Sequence, residues 1–216
     1  MPPKTPRIRL AIVPVCNPDD SAGDHLAESP FFTAQELMAI GFSEVGRDIQ
    51  ISRKASFYKI TGRIGDHVRI DDFCIIKGHV ELGSYVHLAA FCSVSGAWDK
   101  VTIADFVTVS NRVSIFTGSD DFAASTLNNT HDEEYTIMIR GPVTIGTAAL
   151  IGAHSVILPG VEIGDAASVG ALSLVASSIA PGAIARSAQV AKPHPERKRD
   201  VEKVRAMAKA FLAKKR

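Results

Sequence analysis

The sequence is short of cysteine and of long apolar runs, and each shortage excludes a class of protein. Three cysteines, Cys16, Cys74 and Cys92, are odd in number and widely spaced. They fit neither a disulfide framework nor a zinc-ligand spacing, which points to a reducing cytoplasm. No stretch approaches the roughly 18 consecutive apolar residues that span a bilayer, so no membrane insertion is expected. The basic residues 1–7 precede only a short, proline-broken apolar segment without a small-residue cleavage site, so no secretory signal is read there. A net charge of +1 supplies no global field to gather nucleic acid. What remains is 216 residues with 46% apolar content, enough for one domain with a real core.

A period of six organises the chain. Ile64, Ile70, Ile76, Leu82, Leu88 and Val94 fall at successive steps of six. The series resumes at Ile103, Val109 and Ile115, then at Ile145, Ile151, Ile157, Ile163, Val169 and Val175. Two residues before each lies a small or aliphatic residue, as in Val68, Cys74, Val80, Ala149, Ser155 and Val161. Two apolar sites per six residues match neither a helix nor a long alternating strand. They suit short strands joined by tight corners, with glycine tolerating the corner backbone. Three sextets close one coil, so residues 18 apart stack into inward columns.

The run from Ile145-Gly-Thr-Ala-Ala-Leu-Ile-Gly to Pro159-Gly-Val-Glu-Ile-Gly164 resembles the hexapeptide-repeat acyltransferases. The likeness covers about residues 45 to 192 and is strongest to members from surface-polysaccharide gene clusters. It implies a mainly β fold, a left-handed parallel β-helix. The hand comes from the family, since parallel crossovers in general are right-handed in about 98% of cases. The resemblance also implies a homotrimer, acetyl-CoA as co-substrate without a metal, and a sugar acceptor held between subunits.

Residues 1–44 form an N-terminal extension, in which Thr33-Ala-Gln-Glu36 reads as a capping box opening a helix to about Ile40, with Gly41 as its stop. An irregular first coil holds Ile51 and Phe57. Two insertions break the phase: a small bulge at residues 96–100, and a loop at residues 120–140 of the length that usually carries function. Residues 193–216 read as a basic amphipathic helix, with Val201, Val204, Met207, Phe211 and Leu212 at helical spacing.

The family's catalytic pattern ends in a loop histidine. Here the matching run is Arg112-Val-Ser-Ile-Phe-Thr-Gly-Ser-Asp-Asp121, so Asp120 stands at the histidine position and Arg112 replaces an asparagine. A carboxylate accepts a proton less readily than imidazole, by about 2.6 pKa units. It suits an amine acceptor, which once neutral attacks a thioester unaided, better than a hydroxyl. Asp120 and Asp121, with Arg112 on the substrate side, are therefore candidates for catalysis and acceptor binding, set against a plain turn role for Ser119-Asp120-Asp121. His131, in the long loop, is the other candidate base, set against a solvated surface role. His87 points outward where the family places its groove. Trp98 is either a platform for a sugar or base or a packing residue under its own loop. The resemblance places the pantetheine arm on Gly152, Ala153, His154, Gly170, Ala171 and Ala176, and charge places the CoA phosphates on Arg186 and Lys192. Cys74 and Cys92 are core residues.

These features imply a cytoplasmic acetyltransferase acting on a nucleotide-linked amino sugar for an O-antigen or capsule. A non-catalytic scaffold or nucleotide-binding protein, and a galactoside-type O-acetyltransferase, are the alternatives. A metal-dependent hydratase of this fold needs two histidines five residues apart, and the seven histidines include no such pair.

Overall fold

Sextets become coils because each pairs its backbone with the sextet 18 residues away. The computed structural model describes residues 29–121, 137–186, 192–198 and 200–214, and winds them into a parallel β-helix of about seven coils. The strands form a nine-stranded and an eight-stranded sheet, plus a two-stranded ribbon. Regular coils pair at 18 residues, as in Leu150 with Ser168 and Val156 with Leu174. The irregular first coil pairs at 19, as in Gln50 with Arg69.

The predicted columns are the core. One contains Val45, Ile64, Leu82, Ile103, Ile145, Ile163 and Ile179. A second contains Ile51, Ile70, Leu88, Val109, Ile151, Val169 and Ala185. The third contains Phe57, Ile76, Val94, Ile115, Ile157 and Val175. Nearly all are fully buried, as are Val68, Cys74, Val80 and their successors in the second inward series. Full burial of such a side chain is worth about 1.5–3 kcal/mol. Cys74 Sγ donates to Ala89 O and Cys92 Sγ to Ser110 O. The neighbouring Cys92 sulfur and burial push the Cys74 thiol up. Cys16 lies outside the described residues.

Corners stack as strictly as columns. His67, Tyr85 and Phe106 occupy one corner on successive coils, all at positive φ, with rings stacked 4.5 and 5.0 Å apart. Ala148 and Ala166 continue that corner. A second corner carries Phe73, Phe91, Arg112, His154 and Leu172, again at positive φ. The third is turned by Gly78, Gly96, Thr117, Gly118 and Gly160, and both insertions leave from it.

Helix α1, Ala34–Ile40, has the expected reciprocal cap: Thr33 Oγ1 accepts from Glu36 N–H while Glu36 Oε2 accepts from Thr33 N–H. Gly41 ends it at φ 136°, against the Ile60 carbonyl where a side chain has no room. Phe32 and Phe42 meet Phe57 edge-on beneath the first coil. The far end departs from expectation. Lys192–Lys198 is an extended strand antiparallel to Ala183–Arg186, and helix α2, Val201–Lys214, begins only after it. Pro193 and Pro195 fix extended backbone and withhold donors, and the helix starts where Asp200 Oδ1 accepts from Lys203 N–H.

Ile151→Ala should cost about 2–5 kcal/mol in denaturant unfolding, whereas Ile75→Ala, on the outward face of its strand, should change stability by about 0.5 kcal/mol or less. The Arg53 guanidinium, with the Thr33 cap, holds Glu36 down from 4.5 to about 2. A depressed carboxylate contributes above its unfolded value and ceases to as pH falls through about 2. Carboxyl NMR titration should place the Glu36 midpoint near 2, and Arg53→Met should return it toward 4.5.

Candidate active site

The long loop is rooted in a ribbon rather than in a coil. Gly118–Asp120 pairs antiparallel with Met138–Arg140, in the register Gly118 to Arg140 and Asp120 to Met138. Residues 118 and 120 share one ribbon face with 138 and 140 directly opposite them, because side chains alternate along a strand. Asp120 is therefore a strand residue whose carboxylate has a fixed direction, and not a turn residue. Its Oδ1 is a buried atom with no hydrogen-bond partner among the described residues. A buried carboxylate oxygen left unpaired is costly. Asp121 N–H donates to Ile137 O and closes the described end of the ribbon. His131 lies outside the described residues.

Thr117 fixes where this ribbon starts. It is fully buried; its Oγ1 donates to Ser95 O and accepts from the N–H groups of Trp98 and Asp99. One hydroxyl thus ties the first insertion to the root of the second. In the strand Ser93–Ile103 the insertion appears as a register shift, with Gly78 opposite Gly96 but Val80 opposite Val101. Trp98, at its tip, is 45% exposed, so the ring is neither free platform nor core. Its ring packs on Gly118, where any Cβ would collide with it, and the Arg140 guanidinium lies 4.3 Å from its centroid. Below Trp98 a cleft of about 450 Å³ is walled by Lys59, Lys77 and His79. A slightly larger depression, about 480 Å³, lies on the adjacent face, but its Asp66 and Asp105 already accept the backbone N–H groups of Arg47 and Ser84.

The second corner gathers most of the expected cofactor residues. Gly152, Ala153 and His154 turn one coil and Gly170, Ala171 and Leu172 the next, with Leu172 N–H donating to Ala153 O. Gly152 lies against the backbone of Gly170 and Ala171, and Arg186 Cγ lies over Gly170. His154, Ala171 and Arg186 are exposed. Ala176 is exposed too, but past the next strand and away from this shelf. Arg112 sits in the same corner column, one coil below His154, its guanidinium 5.0 Å from the Phe91 centroid. Lys192 lies in the terminal strand, its side chain outside the described residues. His87 is on the face between the first and second corners, Nε2 3.0 Å from Asp71 Oδ2, with Arg69 Nε donating to Asp71 Oδ1 at 2.6 Å.

The structure therefore brings Trp98 and Asp120 together at the third corner, and Arg112, Gly152, Ala153, His154, Gly170, Ala171 and Arg186 at the second. It separates the two groups by one face, six residues or about 20 Å of strand. Thr117, Lys59, Lys77 and Arg140 were not singled out from sequence. The available signal was that Lys59 and Lys77 are one coil apart. Thr117→Val should leave the Trp98 and Asp99 N–H groups unpaired, destabilise by about 1–3 kcal/mol in thermal unfolding, and alter Trp98 fluorescence.

Comparison with known proteins bears on what this arrangement does. Residues 62–96 match the family model described as bacterial transferase hexapeptide (six repeats). A dTDP-4-amino-4,6-dideoxy-D-glucose acyltransferase of Escherichia coli is 39% identical over 131 residues, 58% of this chain and 68% of that protein. AntD, an N-acyltransferase from Bacillus cereus solved with dTDP and 3-hydroxybutyryl-CoA, superposes with a TM-score of 0.78. It is 34% identical and covers 87% of this chain and 99% of its own. A maltose O-acetyltransferase from Clostridium difficile, 21% identical over 77% of this chain and 74% of its own at a TM-score of 0.51, shares the fold alone.

Proposed function

The chain belongs to the hexapeptide-repeat sugar acyltransferases, and on that premise we propose that it transfers an acetyl group from acetyl-CoA to the amino group of a dTDP-linked amino sugar. The observation that carries this reading is the unpaired Asp120 Oδ1 on the ribbon. An acceptor ammonium supplies the missing donor, and the carboxylate then takes its proton. The freed nitrogen lone pair attacks the thioester carbonyl carbon and a C–N bond forms; as the C–S bond breaks, the adduct nitrogen gives up its second proton to the departing thiolate, leaving the amide and free CoA. No stronger base is required, because the amine is a competent nucleophile once neutral. A hydroxyl acceptor would need one. His131 is the alternative proton acceptor.

The small-residue shelf at Gly152, Ala153, Gly170 and Ala171 takes the pantetheine arm, flanked by His154, with Arg186 and the strand residue Lys192 assigned to the CoA phosphates. Ala176, exposed past the next strand, would meet the arm only beyond this shelf. Asp121 joins Trp98 on the acceptor side, while Arg112 at the second corner and His87 on the face beside it, held by Asp71, complete the acceptor site from the next subunit. Acceptor and thioester groups stand on different corners of one chain, which supports a homotrimer in which the third corner of one subunit faces the second corner of the next. A place in surface-polysaccharide synthesis and in the cytoplasm follows from these substrates. No helix among the described residues is long and apolar enough to cross a membrane.

Thiol release from acetyl-CoA should depend on a dTDP-linked amino sugar and be absent with simple hydroxyl acceptors. Asp120→Asn should lower kcat tenfold or more, with the KM for acetyl-CoA unchanged. Wild-type turnover in that variant would transfer the proton-accepting role to His131, and His131→Ala would then show the loss.

A further inference from the structure

We propose that the cleft under Trp98 seats the diphosphate of the nucleotide-linked acceptor on Lys59, Lys77 and Arg140; this rests on the amino-sugar reading and assigns the other end of the same substrate. Several cations among the described residues are engaged. Arg47, Arg53, Lys54, Arg63, Arg69 and Arg205 each pair with a carboxylate. Lys59, Lys77 and Arg140 pair with none among the described residues. Lys59 and Lys77 wall the cleft from adjacent coils. Arg140 stands at its rim on the Trp98 ring, and its recorded hydrogen bond is a long one, 3.8 Å to Met138 Sδ. Three unpaired cations converging on one concavity are a site for a polyanion, and a guanidinium braced on an indole presents its N–H edge to phosphate oxygens.

His79 completes the wall without adding a free charge. Its Nδ1 lies 3.0 Å from Thr61 Oγ1 and its Nε2 3.3 Å from Glu81 Oε1. Glu81 is thereby engaged with His79 and lies 3.9 Å from Arg63.

The ribbon sets the spacing between this seat and the reacting centre. Arg140 and Asp120 share one ribbon face, two residues apart by register, because Arg140 opposes Gly118 and Met138 opposes Asp120. Two residues of strand span about 7 Å. That is the reach from a β-phosphate across one pyranose ring to an amino group opposite the anomeric carbon. A ligand with a diphosphate at one end and an ammonium at the other satisfies both the three cations and the orphaned Asp120 oxygen. A free sugar satisfies only the second, and a nucleoside diphosphate alone only the first.

The test is calorimetric binding of dTDP to the full-length protein, with acyl-transfer kinetics on the same preparations. Lys59 sits at φ 49°, so Lys59→Gly removes the charge without backbone strain, and Lys77→Met keeps the stem of an exposed side chain. The double variant should bind dTDP at least tenfold more weakly and show a KM for the dTDP-linked amino sugar raised at least tenfold. Its kcat at saturation, KM for acetyl-CoA and melting temperature should stay near wild type. Arg140→Gln should act the same way, and Lys100→Ala, outside the cleft, should change nothing. Unchanged dTDP affinity in the double variant, with acyl transfer intact, overturns the seat and leaves the acyltransferase reading standing. A wild-type protein that binds dTDP through these lysines yet acylates no amino sugar overturns that reading and leaves the seat.

Discussion

Holding L-residues at positive φ, coil after coil, is the constraint on which everything else depends. Twelve non-glycine residues among those described, from Asp48 to Leu172, have positive φ. Each costs about 1–2 kcal/mol in isolation. What keeps them there is the adjoining inward residue: Ile145 before Ala148, Ile151 before His154, Ile163 before Ala166. Full burial of each is worth about 1.5–3 kcal/mol. Corner and column are therefore coupled, and neither forms without the ladder of backbone hydrogen bonds to the next coil.

That coupling leaves the coil little freedom to make a site. Outward side chains on the regular faces are set at fixed intervals, and corner side chains stack on their own kind, as His67, Tyr85 and Phe106 do. Chemistry enters where the phase is broken. Both insertions leave from the third corner, and the Thr117 hydroxyl locks them to each other. A rigid rod thus carries one antiparallel ribbon whose direction is fixed at its root, and Asp120 inherits that direction. Gly118 is required at that root because Trp98 occupies the space a side chain would need.

The second corner works by the opposite device. Gly152, Ala153, Gly170 and Ala171 leave a low shelf of exposed backbone between taller residues, suited to a long flexible arm that needs hydrogen bonds more than pockets. The shelf and the ribbon are each made of few residues, and in the proposed reaction neither suffices alone. The proposed second copy of the chain is what sets one against the other.

Much of this was legible in the linear sequence, because its information is local or strictly periodic. The sextets determined the columns, the second inward series and the burial of Cys74 and Cys92. Thr33 and Glu36 determined the helix cap, since both partners lie within one turn. The aspartate at the expected histidine position singled out Asp120. The rest required contacts between segments that periodicity does not relate. Trp98 meets Gly118 and Arg140 across an insertion, Thr117 ties two loops, and Asp71 reaches His87 from the previous coil. The terminal strand was missed although its prolines forbid helix, because its pairing with Ala183–Arg186 lies outside the repeat. By itself the sequence determined the rod, because burial with a period of six has one economical solution. Only the tertiary structure decided which charges are left unpaired and where the ribbon aims them, because those depend on the breaks in the period.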